Sequence, residues 1–502
     1  MLANELLIAG RWRRGRGAPI DTVDPATGRS LAVIHTASPE DVEEAAKGAF
    51  RAVRSPSWRG WHFREPARLL NRVTDLIERD AAYLAALHTS DTGSIRTESR
   101  ALVRAAAKTF RHASAAAETT HSTLKPARWP YGMLGVREPI GVVGAITSWN
   151  STLVSVARAI APALAAGNAV LLKPHTWTPL IPFALARLVE QAGFPAGLLS
   201  VLPGRGYIVG DAIVRHPLVG KVAFTGSAGT AREIARAAAD KLMPVDLELG
   251  GNSPTIVFED ADLEQALVGA LSDIHSSSGQ CRTADPRLFV ARSRYEEFVG
   301  ELVVRARSLR LGPGIAPGTQ VAPLVHHRHR DTVAAYVDLA RKDGARVLCG
   351  GTAPEGHQYR EGAYYLPTVL EGLSHNSRVC REEILGPVLV ALPFDDEDDL
   401  VIQAGDSVRG LDCRLWARDH ARAWRVADRI EAGNVWINTR SQPGIPTLSG
   451  GTKAGGADGG DPDPEAIRAY QRRRSLCWAP GSAPLPRPVP GGASPRRDGA
   501  ST

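Results

Sequence analysis

Apolar residues recur at helical spacing through the first part of the chain, with Val42, Ala45, Ala46, Ala49, Phe50 and Val53 in one stretch and Leu69, Leu70, Val73, Leu76 and Ile77 in the next. Such a repeat gives each helix one face for a core, so the N-terminal region reads as helical after a short strand-rich start. From Gly141 the pattern changes. Short runs rich in β-branched residues, GVVGAI, AVLLK, LLSVLP and KVAFTG, alternate with longer segments of helical period, Thr152 to Ala166, Leu180 to Gln191 and Tyr207 to Arg215. Four strands joined by three helices predict a parallel sheet with helices on both faces, which binds ligands beyond the carboxyl ends of its strands. The loops 149–151, 174–178, 203–206 and 226–230 are therefore the predicted binding rim. A second α/β region opens near Gly250 with PTIVF, a helix from Asp262, RLFVA, and a helix carrying Tyr295, Phe298, Leu302 and Val303, and it runs to about Asn438. The stretch from Ala479 onward is rich in Pro, Gly and Ser and holds little that could form a core, which predicts disorder over 479–502.

Composition narrows the classes. A chain of 502 residues with 43% hydrophobic and 23% charged residues is an ordinary globular sequence long enough for more than one packed domain. No apolar run approaches bilayer-spanning length, and the arginines of MLANELLIAGRWRRG follow its apolar patch, the reverse of a secretory leader, so a cytoplasmic protein with no membrane association is expected. Cys281, Cys349, Cys380, Cys413 and Cys477 are odd in number and scattered, as reduced thiols are, and no pair has metal-ligand spacing. The net charge of +7 arises from basic residues interspersed with acidic ones, and only eight of the 60 basic residues are lysines, which argues against nucleic acid as a partner. His326, His327 and His329 have no carboxylate or cysteine at matching spacing, so the segment HHRHR reads as solvated surface and no metal is expected. Gly204, Gly206 and Gly210 are spaced GxGxxxG after the third strand, and the first strand is followed by TSWNST, so a standard Rossmann pyrophosphate loop is absent.

Seven segments, EPIGVVGAITSWN, APALAAGNAVLLKP, HPLVGKVAFTGS, LELGGNSP, SSGQ, EEILGPV and EAGNVWIN, stand in the order and at the spacing of the aldehyde dehydrogenase superfamily, which the chain resembles from about Leu6 to Trp478. The resemblance implies an α/β fold in three parts. A Rossmann-like parallel-sheet cofactor domain is expected from 1–115 and 139–249, an α/β catalytic domain from 250–440, and a small β extension from 116–138 and 466–478 that joins subunits into a homodimer or homotetramer. It also implies oxidation of a small-molecule aldehyde to a carboxylic acid with NAD or NADP. Asn150 matches the amide that donates to the developing oxyanion, where a loop asparagine capping the next helix is the plainer reading. Glu248 matches the general base, with a glutamate paired to an arginine as the alternative. Lys173 matches the lysine that binds the adenosine ribose. Thr176 stands where NAD-preferring members often carry Glu, so repulsion of a 2′-phosphate is removed. Gly226 and Ser227 match the pyrophosphate contact at a helix start, and Glu383 matches the residue that grips the nicotinamide ribose.

The main departure is at the nucleophile. The family pattern G-Q-x-C meets Gly279, Gln280, Cys281 and Arg282 here, so Arg282 occupies the position of the thiol and Cys281 lies one residue early. Adjacent Cα atoms are about 3.8 Å apart with divergent side chains, so Cys281 replaces the family thiol only if the backbone shifts register. Further departures are Ser148 before Trp149, Ala159 beside Arg158, Ala231, Leu385, Leu448 and Ser449. Two readings follow: an NAD(P)-dependent aldehyde dehydrogenase that either uses a displaced Cys281 or forgoes the covalent adduct, with very low activity in the latter case, and an inactive dinucleotide-binding pseudoenzyme with a structural or assembly role.

Overall fold

The computed structural model describes residues 5–60, 64–126, 132–284, 286–440, 451–453, 456–457 and 464–478. Leu448, Ser449 and the segment 479–502 lie outside the described residues. The chain divides into two units, one of Met1–Thr120 with Pro139–Gln471 and one of His121–Glu138 with Arg472–Thr502.

The larger unit is built on two sheets. In the first, the strands run in the order Arg11–Arg13, Leu6–Ile8, Leu199–Val201, Ala169–Lys173, Val142–Ile146, Val219–Gly226, Val245–Leu249 and Gly456–Ala457. Its five central strands are parallel, and both edges are closed by antiparallel pairs. VVGAI and AVLLK are buried at every position because helices such as Thr152–Ala165 and Leu180–Ala192 cover the sheet, which explains their unbroken apolar runs. Strand order reverses beside Val142–Ile146, so the crevice that such sheets offer a ligand opens at the carboxyl ends of Val142–Ile146 and Val219–Gly226. The segment 207–215, read as one helix, is a π-helical turn over Gly206–Gly210 followed by a short helix, Asp211–Arg215.

The second sheet has the order Arg346–Cys349, Thr368–Glu371, Val388–Phe394, Arg287–Ala291, Pro254–Val257, Asp412–Trp416 and Asn434–Ile437, with only the first pair antiparallel. Its strands alternate strictly between two cores. Val257, Leu288 and Val290 pack with the helices Leu263–His275 and Arg292–Ser308, while Ile256, Phe289 and Ala291 face the opposite core with Val333, Val337 and Val426. The smaller unit holds a three-stranded sheet of Gln471–Trp478, Gly132–Pro139 and Thr123–Pro126, in which Glu138 pairs with Arg472 and Arg474.

Residues late in the chain complete the first sheet. Tyr470 O accepts from Asn168 Nδ2 (3.0 Å) and Ile140 N (3.4 Å), Lys221 Nζ donates to Ala469 O (2.7 Å), and Ile467 and Tyr470 are buried in the same core as Leu6. Among the described residues no helix is long and apolar enough to cross a membrane.

Asp91 is a buried acid that ties this core together. It accepts from Leu180 N (3.0 Å) and Ile181 N (3.3 Å), capping the helix Leu180–Ala192 from a distant segment, and Thr22 Oγ1 lies 3.4 Å away. Burial pushes its carboxyl from the ordinary 3.8 up to about 7 against the pull of those donors. The folded protein therefore holds this proton to near pH 7 whereas the unfolded chain releases it near 3.8, so the stability conferred by the proton is lost as pH rises through that window. Asp91→Asn is expected to flatten the decline in stability between pH 4 and 7 in urea titrations. Asp91→Ala, which removes the cap and the titrating group together, is expected to cost about 1–2 kcal/mol near pH 4 and progressively less as pH rises towards 7.

Candidate functional site

The crevice is assembled from turns that follow strands of the first sheet and from a loop that precedes the strand Arg287–Ala291. Asn150 sits after Val142–Ile146, where Ser151 adopts a left-handed conformation (φ 49°) to start the helix Thr152–Ala165. The Asn150 side chain is nearly buried. Its Oδ1 accepts from Ser148 Oγ (2.7 Å) and its Nδ2 donates to Gln280 O (3.3 Å), so the amide is oriented from both ends. Ser151 Oγ makes no cap, and Asn150 contributes its carbonyl to Ser155 Oγ, so the side chain is not spent on capping the helix.

Gln280 belongs to a sharply turned segment. Ser277, Ser278 and Gly279 are all left-handed (φ 49°, 55° and 71°), and the two serines pay about 1–3 kcal/mol each in backbone strain. The turn is pinned on several sides. Ser277 N donates to Glu98 Oε1 (2.9 Å), Ser278 Oγ donates to Ala322 O (2.7 Å), and Gln280 Oε1 accepts from Val325 N (2.9 Å). Gly279 has no alternative, since a Cβ there would collide with the Gly386 carbonyl oxygen.

This turn delivers Arg282 to Glu248. The guanidinium donates through Nη1 to Glu248 O (3.0 Å), and Nη2 lies 3.7 Å from Glu248 Oε2. Glu248, near the end of the strand Val245–Leu249, is thus paired with an arginine. Cys281 is only part-buried and turns its Sγ to Thr283 Oγ1 (3.1 Å), and among the described residues no hydrogen bond joins it to Asn150 or Glu248. The far end of the loop is held by Arg414, which donates to Thr283 O (2.8 Å) and forms a buried ion pair with Asp273.

Glu383 comes to the same region, its carboxylate lying where a Cβ on Gly250 would have to sit. Arg409 Nη1 approaches Glu383 Oε2 at 3.1 Å, while Oε1 is buried and has no hydrogen-bond partner among the described residues. Burial pushes this carboxyl up, and the guanidinium groups of Arg409 and Arg282 pull it down. Lys173 ends its strand almost wholly buried, with Nζ donating to Pro174 O (3.2 Å) alone among the described residues, and burial lowers its ammonium to about 8. Thr176 follows in the same loop, half-buried. Gly226 closes the strand Val219–Gly226 with its α-carbon against the Phe224 ring, and exposed Ser227 caps the helix Ala228–Ala239 by accepting from Thr230 N (3.3 Å), leaving that helix start open at the crevice.

The structure corrects the reading of HHRHR as solvated. His329 is buried, its Nε2 hydrogen-bonds Leu385 O (2.7 Å) and its ring packs on Trp149 (4.7 Å), while His326 stacks on Trp177 at 4.9 Å. Burial lowers the basicity of both imidazoles. Among the described residues no group of three His, Cys, Asp or Glu side chains has metal-binding geometry. Glu98, Arg409 and His329 are the site residues that motif reading passed over. Glu98 alone carried a local sign, as the third helical residue after Ile95, a capping-box position. Burial pushes its carboxyl up to about 7 against the backbone N–H groups of Ser277 and Ile95.

The family model for the aldehyde dehydrogenase family matches residues 12–476. The chain is 38% identical over 489 residues to a phenylacetaldehyde dehydrogenase of Pseudomonas fluorescens, covering 95% of this chain and 96% of that one. It is 39% identical over 458 residues to a 3,6-anhydro-alpha-L-galactose dehydrogenase of Streptomyces coelicolor, covering 91% and 92%. The NAD+ complex of an aldehyde dehydrogenase from Bacillus cereus superposes with a TM-score of 0.91 at 34% identity, over 95% of this chain and 96% of that chain.

The buried pair behind the loop gives a direct test of the site's framework. Asp273→Ala takes the carboxylate away from the buried Arg414 guanidinium and is expected to cost about 3–5 kcal/mol in urea denaturation. Asp273→Asn, which keeps an acceptor, is expected to cost less.

Proposed function

Because the chain belongs to the aldehyde dehydrogenase family, we propose that it binds NAD or NADP in the crevice of the first sheet and acts as a poor aldehyde oxidoreductase whose defect lies at Arg282. The observation that carries this reading is the contact of the Arg282 guanidinium with Glu248, a fixed cation resting on the residue that matches the family base. The first sheet is then the cofactor domain, the second the catalytic domain, and the three-stranded sheet the element that joins subunits of a cytoplasmic homodimer or homotetramer.

The crevice suits a nicotinamide dinucleotide. Lys173 is a buried cation with donors to spare for ribose hydroxyls, the helix start at Ser227 offers free N–H groups to the pyrophosphate, and the orphaned Glu383 Oε1 is a ready acceptor for a second ribose. The bound cofactor supplies the hydride acceptor. The chain's own contribution is the Asn150 amide, which leaves Gln280 O to donate to a substrate oxygen, and the Glu248 carboxylate, which takes a proton from a hydrated aldehyde once Arg282 moves aside. Among the described residues no thiol bonds to either of them to split the reaction into two easier steps, and loss of an enzyme's nucleophile lowers turnover by roughly 10⁴-fold or more. Turnover below detection would make the protein a dinucleotide-binding pseudoenzyme, a reading favoured by the same contact, since it occupies Glu248.

Arg282→Cys is expected to raise aldehyde-dependent NAD(P)H formation by about tenfold or more across an aldehyde panel, because it adds the nucleophile and frees Glu248 in one change. Cys281→Ser is expected to leave wild-type turnover nearly unchanged. Robust wild-type turnover abolished by Cys281→Ser would overturn the reading and make Cys281 the nucleophile.

Cofactor choice is expected to follow charge. With neutral Thr176 in the Lys173 loop, NADP should bind at least as tightly as NAD in fluorescence titrations, and strong NAD binding with none for NADP would count against this. Lys173 loses its charge as pH rises through about 8, so NADP affinity is expected to fall between pH 7 and 9, and Lys173→Met should abolish that dependence.

A further inference from the structure

The left-handed turn at Ser277–Gly279 decides which side chain reaches Glu248. A slip of one residue at this point would exchange Arg282 for Cys281, since neighbouring side chains point in different directions. The turn is strained at two serines, so it persists only because its surroundings hold it. Two of the holds, Ser278 on Ala322 and Gln280 on Val325, come from one neighbouring segment, 322–325. The hold on Ser277, where the turn begins, comes from elsewhere. It is the carboxylate of Glu98, in the first turn of the helix Arg96–Thr119 and 179 residues away in sequence. That part of the chain is itself braced, with Arg96 N donating to Gly314 O (2.9 Å) and Gly93 packed against Pro323.

We propose that Glu98 is a positioning residue whose carboxylate, by taking the Ser277 N–H, locks the register of the 277–282 loop and so fixes Arg282, with Cys281 turned away, against Glu248. This rests on the same placement of position 282 at the reacting site as the function proposed above. Its test does not require turnover, so the two can fail separately. Without the carboxylate the Ser277 N–H has no acceptor in a half-buried place, the left-handed turn loses its first anchor, and the loop samples the neighbouring register. In that register Cys281 leaves Thr283 Oγ1 and becomes open to reagents.

The test uses the full-length protein carrying Cys477→Ser, which removes the exposed thiol. Cys349, Cys380 and Cys413 are buried, so reaction with Ellman's reagent reports on Cys281. Glu98→Ala and Glu98→Met, the latter keeping the side-chain volume, are expected to speed Cys281 labelling at pH 8, above the Glu98 value of about 7, by about tenfold or more, the scale of a lost hydrogen bond to an ionised acceptor. Glu98→Gln, whose amide oxygen accepts the same N–H, is expected to stay within about threefold of the parent. The three buried thiols are expected to remain slow in every variant, and hydrogen exchange should rise over 276–284 in the Ala and Met variants alone. Should Glu98→Ala not fold, Glu98→Met carries the comparison. The proposal is overturned by unchanged Cys281 labelling in the Ala and Met variants, by acceleration in Glu98→Gln equal to theirs, or by buried thiols that speed up in step with Cys281.

Discussion

The contact between Arg282 and Glu248 is the interaction around which the crevice is organised. It joins the last parallel strand of one sheet to the loop that enters the other, and it does so with a group of permanent charge. A thiol in that place would be small, neutral at rest and able to form a bond. A guanidinium is broad, always cationic and chemically inert, and it needs acceptors around it. The surrounding acceptors are Glu248 itself and, farther off, Glu383, which also meets Arg409. Two acids and two guanidinium groups thus balance one another in a partly buried place, where any one of them alone would be costly.

The scaffold on either side of that contact is built to be stiff. Both sheets are covered on both faces, their strands alternate cleanly between opposing cores, and the loop that bears Arg282 is tethered at its start by Glu98, in its middle by Gln280 and at its end by Arg414. The long-range partners lie on at least three separate segments of the chain. Strain in the turn is therefore held by several separate anchors acting together, which is how a left-handed serine pair survives.

Much of the first sheet was legible in the sequence because burial on both faces writes an unbroken apolar signature, as in Ala169–Lys173 and Val142–Ile146. The seven motif segments likewise pointed to Asn150, Glu248, Glu383 and Lys173, which the fold brings to the crevice. What stayed hidden were partners brought in by tertiary packing. Nothing local marks Ser277 and Ser278 as left-handed, since serine carries no such preference and only Gly279 hints at it. Glu98 offers only its place in the first turn of a helix, and Arg409 reads as one arginine among many. His329 was misread because arginines on either side suggested solvent, whereas the first turn of a helix can bury one residue while exposing its neighbours. Which arginine could reach Glu248 was not written in the sequence, and the fold brings Arg282 to it.

The route by which the first sheet closes bears on how the chain comes off the ribosome. Leu7 at the start pairs with Val201, Gly456 and Ala457 pair with the strand that carries Glu248, and Ala469 and Tyr470 satisfy groups on Ile140, Asn168 and Lys221. The core around Leu6 therefore stays incomplete until the chain has been made at least as far as Tyr470. Folding N-terminal domains first, the usual order during synthesis at about 5–20 residues per second, is not open to this part of the molecule. The second sheet, drawn from one continuous stretch between 254 and 437, has no such dependence and is free to form while the ends are still apart. A nascent chain stalled short of residue 456 would present an unpaired edge at Val245–Leu249, the kind of edge that recruits other strands.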